Sequence, residues 1–316
     1  QGDRRGTLLG DVCMDDFSLF NFISYVFYIP LYIAGPVCTF SSWAIQVRGT
    51  REVPVRQAMW LLARVCFSVF LVEALLHLYL YVSINNNRSW DAVRGEPMPG
   101  WEVAWGGWVT LYFMYLKFLS IWRFFRVWAM LDGIEVPDNM KRCVVNNCTF
   151  AGFWRQWHAS LNLWIVRYIY IPLGGRASQA WSVWVIFTFV GLWHDLLWRW
   201  LAWAWLNCIF FSLETAVVKW ASGPALATLH EKHSWEYLVA LAGALNMLLL
   251  ILANLAIMHG FQGSVDFLRR IFFAPGQTPI ELAIFCVGAL SYYFVCVMVQ
   301  QLIRRREAAG RGAVKY

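Results

Sequence analysis

Two histidines sit where proton chemistry would be useful in a largely apolar chain. His158 lies in FWRQWHASLNLWIVRYIYIPLGG (Phe153 to Gly175), and His194 lies in AWSVWVIFTFVGLWHDLLWRW (Ala180 to Trp200). An ionisable side chain among apolar residues is costly to keep and marks a candidate site. A desolvated imidazole is neutral near pH 7 and can take a proton from a hydroxyl. A lone histidine in an apolar helix also serves as plain packing. Chemistry is favoured here because two segments each carry one histidine, and Gly191 permits close backbone approach beside the second.

The first segment reads as a helix from about Phe153 to Tyr170. That geometry stacks Arg155, His158 and Asn162 on one narrow face, beside a broad side of Trp154, Trp157, Leu161, Trp164, Ile165 and Tyr168. The face looks either into water at the headgroup level or into a cavity inside a bundle. Pro172 should end the helix, and Gly174-Gly175 should allow a tight turn. In the second segment Asp195 and Arg199 stand at i and i+4, the favourable order for a helical ion pair.

Composition bounds the rest. The 316 residues are 59% hydrophobic and 18% aromatic with 14% charged, which excludes disorder and points to an integral membrane protein. Twenty tryptophans and thirteen tyrosines fit anchoring at two membrane interfaces. The net charge of +7 comes from positives scattered at the ends of apolar runs, which suits a positive-inside bias and not a nucleic-acid partner. Eight cysteines carry no CxxC pair, so no disulfide framework is expected. Cys143, Cys148 and His158 lack an apparent fourth ligand for zinc and read as thiols and an imidazole, with no metal. The chain begins at Gln1 with no charged-then-apolar leader, and reads as a fragment whose N-terminal portion is missing.

Along the chain, Phe17 to Phe40 reads as a first span kinked at Pro30, and Ala58 to Val82 as a second, carrying Arg64 and the Glu73/His77 pair. Glu73 and His77 serve either a site or a buried contact that fixes packing. The loop from Asn85 to Gly100 holds a sequon at Asn87, expected on the lumenal side; a second at Asn147 is expected to stay unmodified. Trp101 to Ile121 is a third span. Lys117, Arg123 and Arg126 form a basic edge after it, suited to lipid phosphates or to a nucleotide-bearing substrate. Leu201 to Val218, Trp235 to Gly260 and Ile280 to Ile303 complete the apolar runs, with a loop from Gly260 to Pro279 and a cytoplasmic C-terminus set by Arg304-Arg305-Arg306. The chain is thus expected to be all-α and polytopic, one membrane-embedded domain over 1–316 with its core motifs within 150–200.

The two histidine segments at this spacing, with YIPLYIAGP (Tyr28 to Pro36) and IWRFFRVWAMLDGIEVPDNMKRC (Ile121 to Cys143), resemble the membrane-bound O-acyltransferase (MBOAT) family. Within it they look like the Gup branch, implicated in glycerol uptake and in remodelling glycosylphosphatidylinositol (GPI) anchors and related to the Hedgehog acyltransferases. The resemblance implies a helical bundle around an intramembrane reaction chamber, with His194 as catalytic base and His158 as second active-site residue. It implies acyl-CoA as co-substrate without a further cofactor, a lyso-GPI anchor or lysophospholipid as acceptor, membrane lipids as surroundings, and the endoplasmic reticulum as location. Trp154, Trp157 and Trp193 would shape an acyl tunnel, and Arg155, Asn162 and Asp195 would contact substrate. A glycerol or polyol transporter and a non-catalytic lipid-binding relative are the competing classes.

Overall fold

The computed structural model describes residues 17–49, 53, 55–79, 98–144, 147, 149–230, 232, 234–273 and 278–309. The described chain is helical, with one isolated antiparallel bridge between Met140 and Trp157. The sequon at Asn87 and Cys148 lie outside the described residues.

The expected first span is three short helices: α1 (Leu19–Val26), α2 (Ile29–Ala34) and α3 (Phe40–Arg48). The eight residues of α1 rise about 12 Å, far short of a ~30 Å hydrocarbon core. Pro30 does not kink a continuing helix; it sits in the first turn of a new one, where its missing N–H costs nothing. A β-carbon on Gly35 would lie 2.2 Å from the Pro30 carbonyl, so the reversal after α2 needs glycine. The returning chain is tied down by its aromatics. The Tyr25 hydroxyl donates to the Cys38 carbonyl at 2.6 Å, the Tyr28 hydroxyl donates to Asp132 at 2.7 Å, and Trp43 is buried with Ile134 and Val136.

Helices α4 (Val55–Tyr79) and α5 (Gly100–Leu131) pack through Ala58 and Leu61 against Val127 and Met130. Glu73 and His77, 3.7 Å apart, are both exposed on α4, so they neither fix packing nor face the cavity described below. Helix α5 is the packing centre, buried at positions from Gly100 to Met130. Its basic residues do not form one edge. Lys117 is exposed, Arg123 is buried, and Arg126 pairs with Asp138 at 3.2 Å.

After α5 come α6 (Phe150–Gln156), α7 (Ala159–Ile165), α8 (Gln179–His194), α9 (Trp198–Ala221), α10 (Ser234–Phe273) and α11 (Pro279–Ala309). The expected loop from Gly260 is helix as far as Phe273. Gly263, Phe267 and Ile271 recur every fourth residue and are buried, a helical stripe that overrides the local glycine signal. Gly107 of α5 admits that stripe, since a β-carbon there would meet the Phe267 ring at 2.5 Å. Helix α11 opens with a reciprocal cap: Thr278 accepts from the Glu281 N–H at 3.2 Å, and the Glu281 carboxylate accepts from the Thr278 N–H at 2.9 Å. Among the described residues, four helices are long and apolar enough to cross a membrane: α4, α9, α10 over Ser234–Leu255, and α11 over Pro279–Leu302.

Candidate active site

The segment around His158 is not one helix. Helix α6 stops at Gln156, Trp157 is extended, His158 has φ 46 and ψ 50, and α7 starts at Ala159. The break follows from tertiary hydrogen bonds that local pattern does not show. Trp157 bridges to Met140, the Ala159 N–H donates to the Asn139 carbonyl at 3.1 Å, and the Ser160 N–H donates to Asn139 Oδ1 at 3.0 Å. Arg155 and His158 therefore do not share a helical face, and Arg155 is exposed. The expected exit from this segment matches the structure: a π-helical turn at Val166–Tyr170 leads through Pro172 to Gly174 and Gly175, at φ 100 and 57.

The start of α6 is fixed from two sides. Thr149 Oγ1 accepts from the Gly152 N–H at 2.9 Å. Glu214, in the middle of α9, accepts from the Phe150 N–H at 2.5 Å and the Ala151 N–H at 3.3 Å, and also from the Asn246 amide of α10. One carboxylate thus satisfies two orphan helix donors and links three elements. Glu214 is the one acidic residue in the apolar run from Leu201 to Val218, and that isolation is the signal the sequence offers for it.

His194 closes α8. Asp195 turns extended at φ −174, and its own carboxylate accepts the Leu196 N–H at 2.7 Å. That local bond competes with helix continuation. The expected Asp195–Arg199 helical pair does not form: α9 begins only at Trp198, and the Arg199 guanidinium lies 5.7 Å from the Trp200 ring centroid. Gly191 does bring backbones together as expected, since a β-carbon there would lie 3.1 Å from Ala204 Cβ and 3.2 Å from the Trp200 carbonyl. The His194 ring stacks on Trp200 at 4.6 Å and 6°, with Trp203 edge-on at 5.5 Å.

A cavity of about 360 Å³ opens at His194. Its walls come from α5 (Trp108, Tyr112), α6 (Trp154), the break after it (Trp157), α9 (Trp200, Trp203) and α10 (Met247, Leu250). Among the expected site residues, His194, Trp154 and Trp157 line it; Arg155, His158, Asn162, Trp193 and Asp195 do not. Arg199 does line it and, among the described residues, is the one permanently charged side chain that does. His158 stands beside the cavity in a chain of rings, stacked on Trp122 at 4.5 Å and 5.8 Å from Trp193, which is 4.9 Å from His194. His158 lies in the break, outside the membrane-crossing helices; burial, and then the neighbouring His194, push its pKa down to about 4. It is neutral at pH 7. Among the described residues no three His, Cys, Asp or Glu side chains gather as a metal site.

Several membrane-length apolar helices, beside an aromatic-walled cavity with a histidine on its wall, define a class: an integral membrane protein with a reaction or binding chamber among its helices. The chain belongs to the MBOAT, membrane-bound O-acyltransferase family, whose profile matches residues 7–234. It is 34% identical over 298 residues to Membrane-bound O-acyltransferase gup1 of Schizosaccharomyces pombe, covering 93% of this chain and 49% of that protein. It is 32% identical over 309 residues to Membrane-bound O-acyltransferase GUP2 of Saccharomyces cerevisiae, covering 96% of this chain and 48% of that protein. A more distant likeness, 27% over 264 residues, joins 79% of it to 52% of mouse Protein-cysteine N-palmitoyltransferase HHAT. The Gup-branch and Hedgehog-acyltransferase resemblance read from the sequence agrees with these relatives. The chain spans about half the length of the curated relatives it matches.

Proposed function

We propose that the protein acts as an acyl-CoA-dependent O-acyltransferase, moving a long-chain acyl group to a hydroxyl of a lipid acceptor, a lyso-GPI anchor or a lysophospholipid. The observation that carries this reading is His194 at the end of α8, on the wall of an apolar cavity in a chain of this family. A thioester is already activated, so the acceptor hydroxyl is the group that needs help. Neutral His194 takes its proton as the oxygen attacks the thioester carbonyl; the new C–O bond forms, the C–S bond breaks, and the proton passes to the departing thiolate. General-base help of this kind is worth roughly 10² to 10⁴ in rate. Trp154, Trp157, Trp200 and Trp203 make the apolar wall that the acyl chain lies against. His158, neutral and one ring away, serves as the second active-site residue, polarising the thioester carbonyl or holding the acceptor. The endoplasmic reticulum and a cytoplasmic C-terminus belong to the same proposal. Arg155, Asn162, Trp193 and Asp195 stand outside the cavity lining and carry no part of this reading.

The test is acyl transfer from radiolabelled long-chain acyl-CoA to endogenous lipids in membranes carrying the full-length protein, beside His194→Ala. Label in one lipid class with the wild type alone supports the reading and names the acceptor. Hydroxylamine-resistant label on protein would move the assignment to an amide-forming enzyme.

A further inference from the structure

We propose that Asn139 is the positioning residue for His158: it caps α7 from outside the helix, a task His158 leaves undone, and so frees the imidazole for the site. The inference rests on reading His158 as an active-site residue.

A residue at a helix N-cap ordinarily has extended backbone and uses its own side chain to accept an N–H of the first turn. His158 does neither; it is left-handed and makes no side-chain cap. Such a conformation costs a non-glycine residue on the order of 1–2 kcal/mol and persists only where the surroundings over-determine it. Those surroundings converge on one buried residue. The Asn139 carbonyl takes the Ala159 N–H at 3.1 Å and its side-chain oxygen takes the Ser160 N–H at 3.0 Å, while the next residue, Met140, bridges to Trp157. The backbone on both sides of His158 is thereby pinned to 139–140. The imidazole, released from capping, stacks on Trp122.

Asn139 is buried, 1% exposed, and the residues beside it are tied in place. The Met140 N–H donates to Asp138 Oδ1 at 3.0 Å, and Asp138 pairs with Arg126, which donates to the Val136 carbonyl at 3.2 Å. From the far side the Val37 N–H donates to Ser160 Oγ at 2.8 Å, so the segment between α2 and α3 also braces this turn. Asn139 does not line the cavity, so it reaches the site only through the turn it holds, and the double variant separates an effect through His158 from one through Trp157.

The experiment compares Asn139→Ala, Asn139→Asp, His158→Ala and the double variant Asn139→Ala/His158→Ala in the full-length protein. Hydrogen exchange at the Ser160 amide and the separate kcat and KM values for transfer from acyl-CoA are read on each. Asn139→Ala is expected to speed Ser160 exchange about fivefold or more, the loss of one cap, and to lower kcat with KM for acyl-CoA unchanged. Asn139→Asp keeps an acceptor oxygen at the helix N-terminus and brings Ser160 exchange back toward wild type, while its buried carboxylate carries a cost of its own. The double variant is no slower than His158→Ala alone, as for two residues acting as a unit. Where Asn139→Ala gives no monodisperse protein, Asn139→Gln, which displaces the amide oxygen, carries the same contrast with Asp. Unchanged exchange at Ser160, or faster exchange with unchanged kcat, overturns the proposal, as do additive losses in the double variant. Full activity of His158→Ala overturns the reading of His158 beneath it, a failure visible without any Asn139 variant.

Discussion

The two histidines are placed by opposite means. His194 is the last residue of a helix, set by where α8 stops and by the close approach at Gly191, and it opens onto the cavity. His158 interrupts a helix, held left-handed by bonds from Asn139 some twenty residues back, and it is shielded by Trp122 and Trp193. A site assembled this way has one residue fixed by local structure and one fixed by tertiary contact. Local perturbation should therefore disable the first, and distant perturbation the second.

The largest effect should come from His194→Ala, which is expected to cut acyl transfer by roughly 10² to 10⁴ while leaving the fold intact, as judged by an unchanged melting temperature. On the other side of the comparison, Glu214→Ala leaves the Phe150 and Ala151 N–H groups and the Asn246 amide without their acceptor. Each orphaned buried donor costs about 1–3 kcal/mol, so thermal stability should fall well before any effect on chemistry is considered. Glu214→Gln should fall less. Gly191→Val crowds Ala204 and the Trp200 carbonyl, with an overpacking cost of about 1–3 kcal/mol and lower transfer as α8 and α9 separate.

His158 sharpens the contrast through pH. The unfolded chain takes up its proton near 6.5, whereas folded His158 does so only at about 4. The unfolded state therefore binds more protons across that window, and stability declines as pH falls from 6.5 to about 4. His158→Asn removes this slope, and asparagine tolerates the left-handed backbone better than alanine does. Melting temperature against pH for the two proteins measures it. The smallest effect belongs to Glu73→Gln: the pair with His77 is exposed, and such pairs contribute about 0–1 kcal/mol, so both stability and transfer should stay near wild type.

Much of this was legible in the sequence where the cause is local. The all-helical membrane character follows from composition, the turn at Pro172, Gly174 and Gly175 from residue type, and the close approach at Gly191 from its missing side chain. Reading failed where a distant partner decides. Helical periodicity through Phe153 to Tyr170 carries no trace of Asn139. The apolar run from Phe17 to Phe40 does not reveal that Tyr25 and Tyr28 fasten it to Cys38 and Asp132. The Asp195–Arg199 spacing looked helical, yet Asp195 ends the helix with its own carboxylate. The stretch from Gly260 to Pro279 read as a loop, but burial of Phe267 and Ile271 keeps α10 helical as far as Phe273. At the cavity, His194, Trp154 and Trp157 stood out by type, Trp108, Trp200 and Trp203 did not, and Glu214 and Asn139 matter through what they accept.

The most direct measurement is a single-turnover experiment on purified full-length protein in nanodiscs, with radiolabelled long-chain acyl-CoA and a lysophospholipid acceptor, wild type beside His194→Ala. Both proteins should bind acyl-CoA with similar Kd, and only the wild type should form labelled ester within the first turnover. Equal rates of ester formation by the two proteins would contradict the central claim that His194 supplies the base.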